Sequence, residues 1–457
     1  MSKLWHKNYD LNEVVEKFTV GEDYLLDRRL VAADCVASAA HATMLGSIGI
    51  LTAEEVKDLK RELVAIIALQ EKGKFDIKQS DEDCHTAIEN FLTEKLGDAG
   101  KKIHTGRSRN DQVIAALRLF ARDFLFAFMD GLLSLIRALL AFAGKHAETP
   151  MPGRTHMQIA MPSSVGLWAG AFAEELTDDA ALVETAFRLN DACPLGSAAS
   201  YGVPLPIDRE LVARLLGFGK LQNNVLYVNN SRGKIEAIVL EAAEHAVLTV
   251  SKLAQDLILY SMPEFRYFSI PAELCSGSSI MPQKKNPCGL ELIRAKTSSV
   301  SASLLAVKSI IKALPSGYNR DFQETKGHFM RGCLTALECV RVMELTVDKL
   351  AVNQDMLRKG FIPEIYATDR ALELVKDGMP FREAYREVGL HLDQLQSRDP
   401  VEAIRAKIHT GAPGNLMLSK TENAVKVFQD DFATKRQKVD DAFTSLLGLR
   451  PPLFTLD

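Results

Sequence analysis

No CxxC pair, Walker-type glycine-rich loop, GxSxG turn or zinc-spaced His/Cys cluster occurs in the 457 residues, so the usual signatures of dithiol, nucleotide, serine-hydrolase and zinc chemistry are missing. The seven cysteines stand singly at 35, 84, 193, 275, 288, 333 and 339, an odd, scattered set that suits a reducing compartment better than a disulfide framework. A basic excess is also missing. Lys and Arg number 55 against 59 Asp and Glu, for a net charge of -4, which argues against nucleic acid as a partner. A few well-placed Arg and Lys could still build a local anion site. The opening MSKLWHKNYDLNEVVEKF lacks the apolar run of a secretion signal. The most apolar stretch, Phe124 to Leu140, is interrupted by Asp130 and Arg137 and reads as a buried helix rather than a membrane span. The expectation is a soluble, cytoplasmic chain that contacts neither membrane nor nucleic acid.

What is present is helix. Proline is sparse (17 residues), alternating β-branched runs are scarce, and long Ala/Leu/Glu-rich segments dominate, so the fold class is all-α. Length suggests about three domains, and the pattern divides into 1–110, 111–355 and 356–457. In the first zone, Thr52 and Glu55 form a capping box ahead of Val56, Leu59, Leu63, Ile66 and Ile67 at helical spacing. A second helix is expected after Ser80 or Asp81, with Ile88, Phe91 and Leu92 on one face. The middle zone carries long helical patterns over 112–147, 163–190, 231–261, 287–313 and 328–350. Helices this long and apolar need partners along their whole length, which predicts a bundle completed between subunits. The last zone, punctuated by Pro363, Gly378-Met379-Pro380 and Gly411-Ala412-Pro413-Gly414, reads as a small helical cap ending in a loosely held tail at Arg450-Pro451-Pro452.

Four connecting segments gather polar, basic and glycine residues. In His104-Thr105-Gly106-Arg107-Ser108-Arg109-Asn110-Asp111-Gln112, Ser108, Asn110 or Asp111 can cap the next helix, whose free N–H groups favour an anion. Taken alone, this segment also reads as a solvated capping loop. Met151-Pro152-Gly153-Arg154-Thr155-His156-Met157-Gln158 joins two long helices, and His156 is either an acid–base group or a hydrogen-bonded structural histidine. Ser276 to Pro287 leads from small, mobile residues into Lys284, Lys285 and Asn286. A serine there becomes a base only if cations and N–H donors stabilise its alkoxide; the plain alternative is a flexible linker with surface lysines. Tyr318-Asn319-Arg320-Asp321-Phe322-Gln323-Glu324-Thr325-Lys326 is a dense donor–acceptor run that by itself suits a solvated connection.

Together these segments resemble the argininosuccinate lyases of the fumarase/aspartase superfamily, from about Leu4 to the Gly-Asn near 415. His104–Gln112 matches the HTGRSRNDQ loop of those enzymes, and Gly277–Pro287 matches the superfamily's GSSxMPxKxNP motif in its QKKNP form. Fumarases and aspartases have a single Lys before Val-Asn-Pro, which this chain lacks. The resemblance implies a three-domain helical tetramer with sites shared between subunits. It also implies elimination of arginine from argininosuccinate, leaving fumarate, without a metal or organic cofactor. By the same resemblance, Ser278 is the base that removes the proton beside a carboxylate. Lys284 and Asn286 stabilise the resulting aci-carboxylate, and His156 pairs with Glu291. Ser108, Arg109, Asn110, Thr155, Arg232, Tyr318, Gln323 and Lys326 fall at substrate-contact positions. Whether His156 delivers a proton or orients the substrate stays open.

The chain also departs from the family pattern. Arg154 stands where Tyr is usual, and Asp23 lies near the position of a substrate-binding Ser. Thr325 replaces an acidic residue, Trp5-His6-Lys7-Asn8-Tyr9 replaces Trp-Gly-Gly-Arg-Phe, and the residues around Arg232 lack the Ser-Asp-Arg-Asp pattern. Such departures leave open a fumarate-forming lyase acting on another N-substituted aspartate, and the resemblance itself leaves open a non-enzymatic structural protein, since the family includes lens crystallins built on this fold.

Overall fold

The computed structural model describes residues 12–456, and the Trp5–Tyr9 segment lies outside them. Five long helices make the body: Arg109–Lys145, Val165–Asn190, Lys234–Ser261, Cys288–Ile311 and Thr325–Asp348. They are called here the first to fifth central helices. Each lies within a few residues of its expected span, because a continuous apolar stripe is the strongest signal a sequence carries. The first has 37 residues, about 55 Å at 1.5 Å per residue. By length and composition alone it could cross a membrane, but 61% of its most apolar window is buried within the chain. It packs against the second and fifth; the third packs on the fourth and the fourth on the fifth.

The caps follow the sequence. Ser108 caps the first central helix, and Asp111 returns a carboxylate to the Ser108 N–H. The Thr52–Glu55 capping box forms at the helix Ala53–Glu71. The helix expected after Ser80 or Asp81 instead begins at Cys84, capped by Asp83, because Gln79–Asp81 closes a separate 3-10 turn first.

Among the described residues, three two-stranded sheets interrupt the helices. The largest is the antiparallel hairpin Pro150–Thr155/Gln158–Ser164, between the first and second central helices. The sequence suggested only a tight connection there. Gly153 marks the irregular step in this ladder; a Cβ at that position would sit 2.8 Å from the Met161 carbonyl oxygen.

One apolar core runs from Leu30 through the central helices and on into the final helix, Leu418–Leu447, through Val425, Phe432, Val439, Phe443 and Leu446. A smaller cluster of Ala371, Ala384 and Val388 lies among the short helices that precede it. The tail after Leu447 is not loose, contrary to the sequence reading. Arg450 forks onto both oxygens of Asp123 and also reaches Asp440. Phe454 stacks on Phe120 and Phe124 with centroids 5.3 and 5.4 Å away. Sequence alone could not supply a partner 327 residues upstream.

Candidate active site

The central helices alternate in direction, so their connections collect at the two ends of the bundle. At one end the first turns of the first and fifth helices and the segment entering the third converge. They present Arg109, Asn110, Arg232 and Lys326 to a cleft of about 250 Å³, joined by Tyr318 and Gln323. Six of the eight expected substrate contacts therefore share one cavity. Helix N-termini gathered in this way favour negative charge on a ligand.

Two observations place Arg232. Gly233 follows it with φ +75°, a left-handed conformation that glycine adopts without strain, and a Cβ there would meet Ile311 Cγ2 at 2.4 Å. Its guanidinium stacks on Tyr318 and Phe322, with centroids 5.7 and 5.8 Å away. The residue is 3% exposed, and its Nε is buried without a hydrogen-bond partner. Arg109 is committed elsewhere: it donates to Glu89 and to Gln112 at 2.9 and 2.7 Å. Ser108 does not line the cleft, and its hydroxyl accepts the Asn110 N–H at the cap. Gln323 donates to the carbonyls of Thr19 and Val20.

Lys326, 1% exposed, is gripped by two carboxylates, Asp27 at 2.5 Å and Asp23 at 2.9 Å. Burial opposes its charge, but Asp27 and Asp23 raise its pKa above the usual lysine value. Burial also pushes the Asp23 carboxyl up. Asp27 is buried as well, yet Lys326 and His85 hold its carboxyl below the ordinary range. Asp34 holds His85 through Nδ1 at 2.9 Å. Asp27, Cys84 and His85 bring potential metal-ligand atoms within 4.8 Å of one another, but Lys326 and the Cys84 N–H already occupy the two oxygens of Asp27. The sequence reading missed Asp27, Asp83 and His85 as cleft residues. The polar run Asp81-Glu82-Asp83-Cys84-His85 was the available signal for the last two.

The opposite end holds the remaining groups. The segment from Ser276 to Asn286 is closed by reciprocal backbone hydrogen bonds between these two residues, at 2.9 and 2.8 Å. Within it, Ser278 Oγ accepts the N–H groups of Met281 at 3.1 Å and Ile280 at 3.4 Å. Donors aimed at a hydroxyl oxygen favour its deprotonated form. Lys284 is exposed, and the Asn286 side chain reaches the Gly277 carbonyl. Glu291 sits exposed in the first turn of the fourth central helix.

At the tip of the hairpin, His156 and Met157 form a two-residue turn with φ of 51° and 63°. Such turns favour Asn-Gly, and a non-glycine residue held left-handed costs about 1–3 kcal/mol, a strain that gathers at functional sites. Arg154 braces the turn: it donates to the Met157 carbonyl at 3.1 Å and stacks over Phe265 at 5.0 Å. Thr155 and His156 are exposed. Thr325, where an acidic residue was expected, is buried and donates to the Phe322 carbonyl.

These groups do not meet within one chain. The fourth central helix begins beside the Ser278 segment and ends beside the cleft, 24 residues or about 36 Å later. Among the described residues no hydrogen bond or ion pair joins His156 to Glu291, or either of them to the cleft.

Comparison with known proteins places this helical bundle among the carbon–nitrogen lyases of the fumarase/aspartase superfamily. A family model described as Lyase matches residues 11–302. The fold is similar to that of an EDDS lyase variant with bound fumarate (TM-score 0.80, 22% identity, covering 97% of this chain and 95% of that one). It is also similar to the class II fumarase of Schistosoma mansoni (TM-score 0.70, 16% identity, 85% and 94%). Sequence narrows the class. The argininosuccinate lyase of Sorangium cellulosum is 46% identical over 91% of this chain and 96% of its own length. The one from Thermotoga neapolitana is 44% identical over 84% and 97%, and the one from Phocaeicola vulgatus 42% over 98% and 99%. The chain belongs to the argininosuccinate lyase family.

Proposed function

We propose that the chain cleaves argininosuccinate reversibly into L-arginine and fumarate, the last step of arginine biosynthesis, in the cytoplasm and as a homotetramer. The observation that carries this reading is the cleft. Asn110, Arg232, Tyr318, Gln323 and Lys326, drawn from three distant loops, line one cavity beside the HTGRSRNDQ segment. The split of the constellation over about 36 Å supports assembly, because the Ser278 segment and the His156 turn of other subunits must complete each cleft. Leu292 and Leu305 on the fourth central helix are exposed in the single chain, 56% and 66%, and suit burial in such an interface.

In the reaction, Ser278 takes the proton from the carbon beside a substrate carboxylate. The electron pair moves into that carboxylate as an aci-carboxylate, and Lys284 and Asn286 stabilise its charge. The pair then returns to form the carbon–carbon double bond of fumarate as the C–N bond breaks; the C–N electrons stay on the guanidino nitrogen, which takes up one proton, so that the proton removed by Ser278 is balanced and arginine leaves as its guanidinium. His156 with Glu291 stands next to this step. Base catalysis of this sort contributes about 10²–10⁴ in rate, and one oxyanion donor about 10²–10³.

The test follows the ultraviolet absorbance of fumarate with purified protein and argininosuccinate, beside a Ser278→Ala variant. Turnover by the parent and near-silence from the variant supports both substrate and base. No turnover from the folded, assembled parent sinks the substrate, and equal turnover by both discards Ser278 as base.

A further inference from the structure

The hairpin between the first and second central helices turns on two residues in the left-handed region, His156 at φ 51° and Met157 at φ 63°. A two-residue turn of this hand is favoured by Asn-Gly, whose backbones reach positive φ at little cost. Neither histidine nor methionine supplies that preference, so the turn is held by something outside its own two residues. Thr155 and Gln158 pair across its base. Among the described residues, the one side chain that hydrogen-bonds the backbone of the turn is Arg154, which donates from Nη1 to the Met157 carbonyl at 3.1 Å. The guanidinium is itself fixed. It lies over Phe265 at 5.0 Å, and Nη2 reaches the Tyr267 hydroxyl at 3.4 Å. Those two rings and Tyr260 form one aromatic cluster. Tyr267 is buried, and Gly360 packs so near that a Cβ there would meet its hydroxyl at 2.8 Å. Both hydrogen bonds of Arg154 go to neutral oxygens, and its Nε is buried without a partner. No ion pair explains its placement. The guanidinium instead ties an unyielding aromatic wall to the carbonyl of a strained turn.

We propose that Arg154 is a positioning residue for the reaction, holding the His156–Met157 turn in its left-handed form and so fixing the direction in which His156 is offered to the site. The proposal rests on the reading of His156 as a group of the reacting site. Were the turn to relax, the φ of His156 would change and its Cα–Cβ bond would point elsewhere. Misplacing a reacting group by about 1 Å can cost about 10²-fold in rate. The proposal also gives the departure at Arg154 a purpose. A tyrosine has one O–H donor, whereas a guanidinium has five N–H donors in a flat fork. Only the guanidinium can lie on Phe265 and donate to the Met157 carbonyl and the Tyr267 hydroxyl at once.

The test is a double-mutant cycle on the assembled enzyme, read by fumarate release from argininosuccinate. Arg154→Ala should lower kcat by about ten-fold or more and leave KM within about three-fold, because the lost interaction orients a group and does not grip the substrate. Met157→Gly gives the turn a residue at ease with positive φ. In that background Arg154→Ala should cost no more than about three-fold in kcat. Hydrogen exchange over residues 150–164, followed by mass spectrometry without turnover, should run parallel: faster in Arg154→Ala than in the parent, and slowed again when Met157→Gly is added. A circular-dichroism melt and native mass spectrometry check that each variant folds and assembles. A merely structural Arg154 would lower the melting point, and Met157→Gly would not repair its loss. A kcat loss that Met157→Gly leaves undiminished therefore overturns the proposal. His156→Ala is the reference. A slow His156→Ala beside an Arg154→Ala with the parent's kcat overturns the positioning role alone. The parent's kcat in His156→Ala would sink the reading of His156, and the positioning role with it.

Discussion

At the cleft end of the bundle the polar groups are held in place within the single chain. Lys326 sits between two carboxylates, Arg109 on Glu89 and Gln112, and Arg232 on two aromatic faces. At the other end Lys284, Glu291, Thr155 and His156 are exposed and lack side-chain partners among the described residues. Unpartnered buried charge destabilises the fold, so Lys326 and Arg109 take their carboxylate partners from inside the chain. Exposed groups carry no such requirement, and their partners can come from another copy. On the function proposed above, recognition belongs to one end and chemistry to the other, with assembly bringing them together.

The largest effect is expected where chemistry is concentrated. Ser278→Ala should lower kcat by about 10²–10⁴ and leave arginine affinity, a property of the cleft, unchanged. Steady-state kinetics with a calorimetric arginine titration checks both halves. Gly233→Ala should act on the cleft instead. It forces a side chain into the left-handed region, costing about 1–2 kcal/mol, and drives a Cβ against Ile311. Arg232 shifts, so arginine binding should weaken by at least about ten-fold, as the same titration would show.

Acid acts on the cleft end in a milder way. The Asp34–His85 pair behind the cleft governs stability. Despite burial, Asp34 raises the pKa of His85, and His85 lowers that of Asp34. The histidine's contribution is full below its unfolded value of about 6.5 and lost as pH rises through the higher folded one. The aspartate's contribution is full above about 3.9 and lost as pH falls through the lower folded one. A urea-midpoint series against pH, with His85→Gln as control, should show both limbs. The smallest effect belongs to the tail. Arg450→Ala removes the fork onto Asp123, costing on the order of 2 kcal/mol, and should expose the residues after Leu447 to limited proteolysis without changing turnover.

How much of this was legible in the sequence depended on the reach of each interaction. The five long helices were, because their apolar periodicity repeats every turn, and so were the caps at Thr52 and Ser108, which need partners only three residues away. The hairpin was hidden because Pro, Gly, Thr and Gln around His156 carry no strand alternation, and its ladder is set by backbone pairing alone. Asp27 was hidden because its meaning comes from Lys326, 299 residues later. The Asp23 departure could be noticed at its position, but its ion pair could not be foreseen. Of the proposed site, the residue types in the four loops were readable. Their division between two ends of a 36 Å helix was not, since that follows from helix direction and length together.

The central claim, that each working site takes its cleft from one subunit and its Ser278 segment from another, has a direct test in mixing. Ser278→Ala and Arg232→Gln proteins, each nearly silent alone, are dissociated, combined and reassembled, and fumarate release is followed. Hybrid assemblies should regain activity, because a cleft from the first protein can meet an intact Ser278 segment from the second. Mixed oligomers that form, as seen by native mass spectrometry, yet stay silent at every ratio would contradict the claim and return the whole reaction to a single chain.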